Sequence, residues 1–167
     1  MNNYFKPTLK NLSQGARLEY VRKLRYMSKD DVADYFSGEI GKEEEMNIIF
    51  DDGHYAIKDE IEKRKKQYEK YIENSNIYKL IIYFPEHYLE QNVDIKKFEQ
   101  QLAKEIIPTF LKKCGFKDIN KMSYQFSLHT NIEHMHYHFS FAEKQPNHKR
   151  KHNKNHIDLK DNFLKKN

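Results

Sequence analysis

The chain has 167 residues, the length of one domain with a sizeable core. It carries 30 Lys and Arg against 25 Asp and Glu, and the net charge of +5 suits a polyanionic partner without requiring one. No apolar run approaches the roughly 18 residues of a membrane span, and no signal-peptide apolar region follows the N-terminus. The single cysteine, Cys114, excludes an intrachain disulfide, so we expect a cytoplasmic protein without a membrane partner.

The first segments of the chain predict a strand followed by a helix. Residues 3–10 resemble a first strand, although a proline interrupts them. Ser13 is a suitable N-cap for a helix whose apolar positions are Leu18, Val21 and Leu24.

A second, shorter helix is expected to begin after Ser28. Asp31 follows three residues later, which resembles the reciprocal capping-box pattern. Gly38 and Gly41 are expected to break the helix, and residues 42–54 are expected to form a loop.

The middle of the chain predicts a helix, a strand and a second helix. Residues 56–74 read as a long charged helix with one apolar side. The nearly continuous apolar run Ile77 to Phe84 predicts a central strand covered on both faces. Asp94 is expected to cap a helix that extends to Lys113, with a kink at Pro108.

Two strictly alternating runs follow, and they predict a β-hairpin. In the first, Met122, Tyr124, Phe126 and Leu128 alternate with Ser123, Gln125, Ser127 and His129; in the second, Met135, Tyr137, Phe139 and Phe141 alternate with His134, His136, His138 and Ser140. Because side chains alternate between the faces of a strand, the apolar rows predict a core face and the histidines lie on the other face. Residues 130–133 can form the connecting loop.

The histidine row has the spacing of a metal site. His136 and His138 start about 6.6 Å apart on one strand and can converge on one ion, whereas His134 and His138 start about 13 Å apart. His129, on the neighbouring strand, is the easier third ligand. Three imidazoles leave coordination positions open, whereas closed structural zinc sites use four ligands, usually with several thiolates. The sequence therefore predicts an open site for metal-assisted chemistry at His129, His136 and His138.

The composition changes near the C-terminus. After residue 145 the chain is basic and polar, with His148, His152 and His156 at helical spacing. We expect a functional domain over residues 1–145 and a basic tail over 146–167 that is mobile or orders on nucleic acid. The tail histidines could also bind metal on a helix.

The order of elements and the spacing H-x6-H-x-H resemble the relaxase domain of plasmid and conjugative-element mobilisation proteins. These proteins are HUH endonucleases, and the MobL-type relaxases of the MOBP class are the nearest likeness. Their metal segment reads roughly His-x-Asn-Thr-Asp-Asn-x-His-x-His, which is matched here by His129, Asn131, His136 and His138, whereas Ile132, Glu133 and His134 depart from it. The resemblance implies an α+β fold, with a central antiparallel sheet flanked by helices and the histidine-bearing hairpin at its centre.

Such relaxases use a tyrosine near the N-terminus as nucleophile. It commonly ends a helix in a segment that resembles Arg25-Tyr26-Met27-Ser28-Lys29, so the resemblance assigns this role to Tyr26. Tyr20 is the main competitor, and Tyr35 ranks third.

The resemblance also implies the surroundings of the reaction. Glu133 is expected to orient a ligand or shuttle a proton, and Arg22, Arg25, Lys29 and Asn131 to contact DNA. The expected cofactor is Mn²⁺ or Mg²⁺. The expected partners are single-stranded or locally melted origin-of-transfer DNA, accessory relaxosome proteins and a coupling protein in a bacterial cytoplasm. Relaxases commonly carry a further C-terminal region, so the chain is either an excised domain or a minimal protein.

Three other functions fit some of these features. Replication initiators and transposases share the histidine pair, but they usually place the tyrosine after it, and no tyrosine follows Tyr137 here. A non-catalytic DNA-binding accessory protein would use only the positive charge. A metal-dependent hydrolase would use metal-bound water and no tyrosine.

Overall fold

The computed structural model describes residues 21–40, 48–83, 94–129 and 136–145. The strands are β1 (Val21–Tyr26), β2 (Ile48–Phe50), β3 (Ile77–Tyr83), β4 (Met122–His129) and β5 (His136–Glu143). The helices are α1 (Lys29–Ile40), α2 (Lys58–Asn74), α3 (Ile95–Gln101) and α4 (Ile107–Lys113), with a π-helical turn (Leu102–Ile106) between the last two and a 3₁₀ turn (Ile119–Lys121) before β4.

The five strands form one antiparallel sheet in the order β1-β3-β5-β4-β2. The two strands of the histidine hairpin are neighbours, and β5 is the middle strand of the sheet. This arrangement confirms the predicted α+β fold, with a central antiparallel sheet, flanking helices and the histidine-bearing hairpin at its centre.

Helices cover both faces of the sheet and create two cores. The first core lies between the sheet and α3–α4, and its strand residues include Leu80, Phe126, Tyr137, Phe139 and Phe141. The second core lies between the other face and α1–α2, and its helix residues include Val32, Phe36, Ile61, Tyr68 and Ile72. The apolar rows of β4 and β5 therefore face the first core, as the alternation predicts.

Local signals explain where α1 begins and where α4 ends. The backbone N–H of Ser28 donates to Asp31 Oδ2 at 2.8 Å, and the backbone N–H of Asp31 donates to Ser28 Oγ at 3.1 Å, which confirms the capping box. At the end of α4, Gly115 has a φ of 109°, a conformation that costs glycine little. The N–H of Phe116 then donates to the carbonyl of Leu111, which closes the helix.

The helix predicted from Asp94 to Lys113 is continuous but changes its hydrogen-bonding pattern. In the π-helical turn, the N–H of Ile107 donates to the carbonyl of Leu102, five residues earlier. Pro108 follows at once and has no N–H to donate, so the wider turn accommodates the proline within the helix.

Three local predictions are wrong. Val21 and Leu24 were assigned to a helix, but residues 21–26 form the strand β1, paired with β3. The predicted loop at 42–54 contains the strand β2, and α1 continues past Gly38 to Ile40. Pairing with a strongly apolar neighbouring strand outweighed local helical periodicity in β1. The predicted strand at 3–10 and the tail at 146–167 lie outside the described residues, and the division at residue 145 stays a prediction.

The sheet has two distinct ends. At the histidine end, His136 pairs with His129 on one side and with Tyr83 on the other. At the opposite end, Glu143 pairs with Met122. Within the described ranges, no helix is long and apolar enough to cross a membrane.

Candidate metal centre

Three histidines meet at the histidine end of β4 and β5. The register pairs His129 with His136, and His138 pairs with Ser127 in the adjacent row of the same face. One ligand nitrogen from each histidine lies within 4.8 Å of the other two. The Nε2 atoms of His136 and His138 are 3.0 Å apart, and the rings of His129 and His138 are 3.9 Å apart between centroids. The strand register thus gathers the three residues of the H-x6-H-x-H pattern.

The geometry fits a divalent cation held by imidazoles. Metal–nitrogen bonds of about 2.0–2.1 Å place neighbouring ligand nitrogens roughly 3 Å apart. The Nε2 atoms of His136 and His138 are 3.0 Å apart, which matches this spacing. The ligand nitrogen of His129 lies within 4.8 Å of the other two, so a small rotation of its ring would bring it to the same spacing. Nitrogen ligands of this kind suit first-row divalent ions.

The surroundings hold the rings in place. His136 is 4 % exposed, whereas His129 and His138 are half-buried. The hydroxyl of Ser127 lies 3.3 Å from Nε2 of His129. A hydrogen bond to one ring nitrogen restricts the orientation of an imidazole, so Ser127 is placed to orient His129.

Tyr35 brings a phenol from α1 to the histidine strand. Its hydroxyl donates to the backbone carbonyl of His138 at 3.4 Å, and its ring belongs to the second core. The ammonium group of Lys79 lies 6.0 Å from the centre of that ring. A tyrosine hydroxyl and a cation therefore lie on the face that carries the histidines.

The same face continues away from the histidines as a row of buried polar side chains. Gln125 and Ser140 are both fully buried. The Gln125 amide donates to the Ser140 carbonyl at 3.0 Å, and Arg64 donates to the Gln125 side-chain oxygen at 3.3 Å. The Tyr68 hydroxyl donates to the Ser123 carbonyl at 3.0 Å. Two residues of α2 therefore bond to this row, Arg64 at the Gln125 side chain and Tyr68 at the Ser123 backbone, as buried polar groups require.

A buried acid supports the histidine strand from the first core. Glu99 is 4 % exposed and accepts hydrogen bonds from Tyr137 at 3.0 Å and from Tyr55 at 2.6 Å. Tyr137 lies between His136 and His138 in the sequence. Burial raises the pKa of the Glu99 carboxyl, although both hydrogen bonds act in the opposite direction.

Tyr26 lies away from the histidines. It ends the strand β1, where a helix end was expected, and only 1 % of it is exposed. Its ring packs 5.2 Å from Tyr78 in the first core, on the face opposite to the histidines. In this conformation the Tyr26 hydroxyl is not at the candidate metal centre.

The other predicted site residues have different positions. The register pairs Arg22 and Arg25 with Ile81 and Lys79 of β3, and Ile81 pairs in turn with His138, so only β3 separates the backbone of Arg22 from that histidine. The side chains of both arginines lie outside the described part of the structure. Lys29 is exposed at the start of α1, which begins near the end of the sheet away from the histidines. The remaining ones lie outside the described residues: Tyr20, Asn131 and Glu133.

The resemblance ranks Tyr35 third among the candidate nucleophiles, and no pattern in the sequence indicates Glu99. The apolar face of α1, which includes Val32 and Phe36, was a signal that Tyr35 points at the sheet. Glu99 had no such signal, because an acid in a charged helix is most often solvated. Only the packing of α3 on the sheet identifies it.

The family model for the relaxase nuclease domain, MobA/VirD2-like, matches residues 26–162. Comparisons with curated proteins and with solved structures give no match. The matched range covers most of the chain and includes the complete histidine triad. The chain therefore belongs to the relaxase nuclease-domain family, whose members nick DNA.

Proposed function

We propose that the protein is a DNA relaxase that nicks origin-of-transfer DNA at one site and on one strand, through a covalent 5′-phosphotyrosine intermediate. The convergence of three imidazoles within 4.8 Å is the observation that carries the proposal. Family membership supports DNA nicking in general. The proposed role is mobilisation of a plasmid or integrative element in bacteria, with accessory relaxosome proteins and a coupling protein as further partners.

His129, His136 and His138 are the proposed ligands of Mn²⁺ or Mg²⁺. When bound, such an ion polarises the scissile phosphate and offsets the charge that develops on its oxygens. Ser127 would hold His129 in a fixed orientation, and Glu99 would support the strand that carries the other two ligands through Tyr137.

The proposed reaction is a transesterification. A tyrosine oxygen gives up its proton and attacks phosphorus, the bond from phosphorus to the 3′ oxygen breaks, and the leaving oxygen takes up a proton to become a 3′-hydroxyl, so the exchange of one proton balances. The 5′ end stays on the tyrosine as a phosphodiester, so a later attack by a 3′-hydroxyl can rejoin the strand. A phenol with a pKa of about 10 needs activation for this attack.

The resemblance indicates Tyr26 as the nucleophile, but its attack would require a conformational change. Its ring must leave the first core, because only 1 % of it is exposed, on the face opposite to the histidines. Tyr35 needs a smaller movement, since its hydroxyl already contacts the His138 carbonyl. Tyr20, the main competitor by sequence, lies outside the described residues and stays a candidate.

Contacts with DNA are proposed for Arg22, Arg25 and Asn131, with Glu133 as a proton carrier or ligand-orienting residue. Lys29 is a weaker candidate for the nicked strand, because α1 begins away from the histidine end. Its contact would be with DNA further from the scissile phosphate.

Covalent capture tests the proposal. The protein is incubated with Mn²⁺ or Mg²⁺ and a randomised single-stranded DNA pool, and adducts that survive denaturation are isolated and sequenced. We expect one recovered sequence, linked to one tyrosine identified by mass spectrometry. Phe variants of Tyr20, Tyr26 and Tyr35 then identify the nucleophile, because only one of them abolishes the adduct. Metal-dependent cleavage without an adduct would indicate a hydrolase instead, and binding without cleavage would indicate an accessory protein.

A further inference from the structure

We propose that the end of the sheet opposite the histidines binds the phosphate backbone of duplex DNA that flanks the nicked strand. The surface, here called the lysine end, consists of Lys112, Lys113, Lys117, Lys121 and Lys144. All five side chains are exposed. The identity of the polyanion rests on the proposed function, whereas the surface itself rests on the positions and charges of these lysines.

Separate segments of the chain bring these lysines together. Lys112 and Lys113 form the last turn of α4, and the N–H of Gly115 donates back to the Lys112 carbonyl. Lys117 and Lys121 line one cleft with a volume of about 280 Å³. The N–H of Lys144 donates to the carbonyl of Lys121 at 2.8 Å, so β5 ends beside the same cleft.

Little negative charge offsets this cluster. Within residues 106–129 and 136–145, the only acids are Asp118 and Glu143. Both acids line the same cleft: Asp118 is exposed and its carboxylate accepts from the backbone N–H of Asn120, whereas Glu143 is only 3 % exposed. The solvent face of α2 is different, because its lysines alternate with Glu62, Glu69 and Glu73. The sequence beyond Gln145 adds further positive charge and no acid until Asp158.

A purely structural role explains only part of the cluster. Lysines in the last turn of a helix interact favourably with the helix dipole, which accounts for Lys112 and Lys113. It does not account for Lys117, Lys121 and Lys144, which lie outside that helix. Lys117 and Lys121 line the cleft, and the Lys144 ammonium donates to the Asn120 carbonyl at 3.3 Å. Those three lysines carry the inference.

The chemistry of the surface favours duplex DNA. Protein partners usually require an apolar or aromatic centre in the interface, but Phe116 and Met122 in this cleft are buried. Single strands bind to exposed aromatic rings, and the exposed large hydrophobic residues in the described ranges, Tyr55 and Ile57, belong to another segment. Contacts with duplex phosphates need only positive charge at suitable spacing.

The fold also sets the distance from the cleavage site. From His136 to Glu143, β5 spans about 23 Å at roughly 3.3 Å per residue. That length corresponds to about seven base pairs of duplex at 3.4 Å per step. We therefore expect the lysine end to protect DNA from about seven base pairs beyond the scissile phosphate.

Salt-dependent binding to a defined probe tests the inference. The full chain is titrated onto a random-sequence duplex of about 24 base pairs between 50 and 200 mM salt, by fluorescence anisotropy. The test variant is Lys117→Gln/Lys121→Gln. The matched control, Lys66→Gln/Lys70→Gln, removes the same charge from the mixed face of α2, where both lysines are exposed.

The loss of two phosphate contacts lowers the slope of log affinity against log salt by about two. Wild type should then lose about tenfold more affinity than the test variant across that salt range. The control should keep the wild-type slope. Equal slopes for wild type and test variant overturn the inference, and so does an equal reduction in the control, which would indicate only net charge. Preferential binding of polyglutamate over the duplex overturns it in favour of an acidic protein partner.

Adduct formation tests the proposed nicking function independently of the lysine end. Adduct formation on a single strand too short to reach the lysine end should occur at the wild-type rate in Lys117→Gln/Lys121→Gln. If wild type forms no adduct but the salt slopes differ as expected, the nicking proposal fails and the DNA surface stands. If the short strand reacts normally and the slopes do not differ, the surface inference fails alone.

Discussion

The two faces of β4 and β5 differ in chemistry although the same two strands form them. Towards α3–α4, one face buries an uninterrupted aromatic set, including Tyr124, Phe126, Phe139 and Phe141. Towards α1–α2, the other face buries polar side chains and ends in three histidines. One face therefore supplies most of the apolar burial of the hairpin, and the other supplies groups that can bind a cation.

The difference shows how the sheet holds a polar site without losing its packing. The apolar face anchors the strands through dense aromatic contacts, such as the stacked rings of Tyr78 and Phe141 at 4.7 Å. On the polar face, individual hydrogen bonds from α2 pair with buried groups: Arg64 donates to the Gln125 side chain, and Tyr68 donates to the Ser123 carbonyl. Stabilisation by apolar burial is non-directional, whereas buried polar groups need specific hydrogen-bond partners. Substitutions on the two faces should therefore have different effects.

The largest expected effect is the loss of metal-dependent nicking on the polar face. His136→Ala should lower adduct formation at least about a hundredfold, because a Lewis-acid ion supplies several kcal/mol to the transition state. Calorimetry with Mn²⁺ should show weakened binding. His54→Ala, which also removes one imidazole, is the control and should keep both properties. Unchanged Mn²⁺ affinity in His136→Ala would exclude the triad as the metal site.

On the apolar face, the largest effect should be on stability. Phe139→Ala removes a 1 % exposed ring and should cost about 3–5 kcal/mol of the free energy of unfolding. Ser140→Ala, the next residue on the opposite face, should cost only about 1 kcal/mol. Urea denaturation followed by circular dichroism measures both. Equal costs would mean that the two faces do not differ as described.

A smaller effect is expected where a hydrogen bond supports the polar face. Tyr68→Phe keeps the buried ring but removes the donor to the Ser123 carbonyl, and should cost about 1 kcal/mol of unfolding free energy. The same denaturation measurement applies. A cost near that of Phe139→Ala would show that packing around the ring had also been lost.

The smallest expected effect is on the pH dependence of stability, and it comes from His54 in the turn after β2. Nδ1 of His54 lies 2.5 Å from Oδ1 of Asp52, and Nε2 of His54 lies 2.9 Å from Oε2 of Glu60. Burial opposes protonation of His54, but the two carboxylates outweigh it and raise the pKa of His54 above its usual 6.5. The pKa values of Asp52 and Glu60 are lowered.

The sign of the resulting pH dependence follows from these directions. A raised histidine pKa stabilises the fold below pH 6.5, and this contribution is lost as the pH rises through the folded-state value. Lowered carboxyl pKa values stabilise the fold above their usual 3.8 and 4.5, and the contribution is lost as the pH falls. His54→Asn should therefore lower Tm slightly at pH 5.5 and less at pH 8.5. A larger loss at pH 8.5 would contradict the assignment.

Much of the site follows from short-range sequence patterns. Strict alternation assigned the faces of β4 and β5, and Ser28 with Asp31 located the start of α1. Helix boundaries at Asp94 and Gly115 were also readable. In each case the deciding interaction joins residues that are close in the chain, so the sequence contains both partners.

The placement of the tyrosines was not readable in this way. Tyr26 was expected at a helix end near the metal, but β1 pairs with β3 and directs the ring into the first core. Tyr35 reaches His138 across 103 positions of sequence. Long-range strand pairing and helix docking depend on the whole packing arrangement, which local propensity does not contain.

By itself, the sequence determined the local pattern: an alternating hairpin that carries H-x6-H-x-H, and a surplus of basic over acidic residues. Tertiary structure alone decided which side chains accompany those histidines and where the lysines gather, since Lys121 and Lys144 meet only when β5 ends beside the 3₁₀ turn. The physical reason is that sequence periodicity indicates on which face of a helix or strand a side chain lies. Contact between segments distant in the chain depends instead on how the apolar faces of different elements pack together.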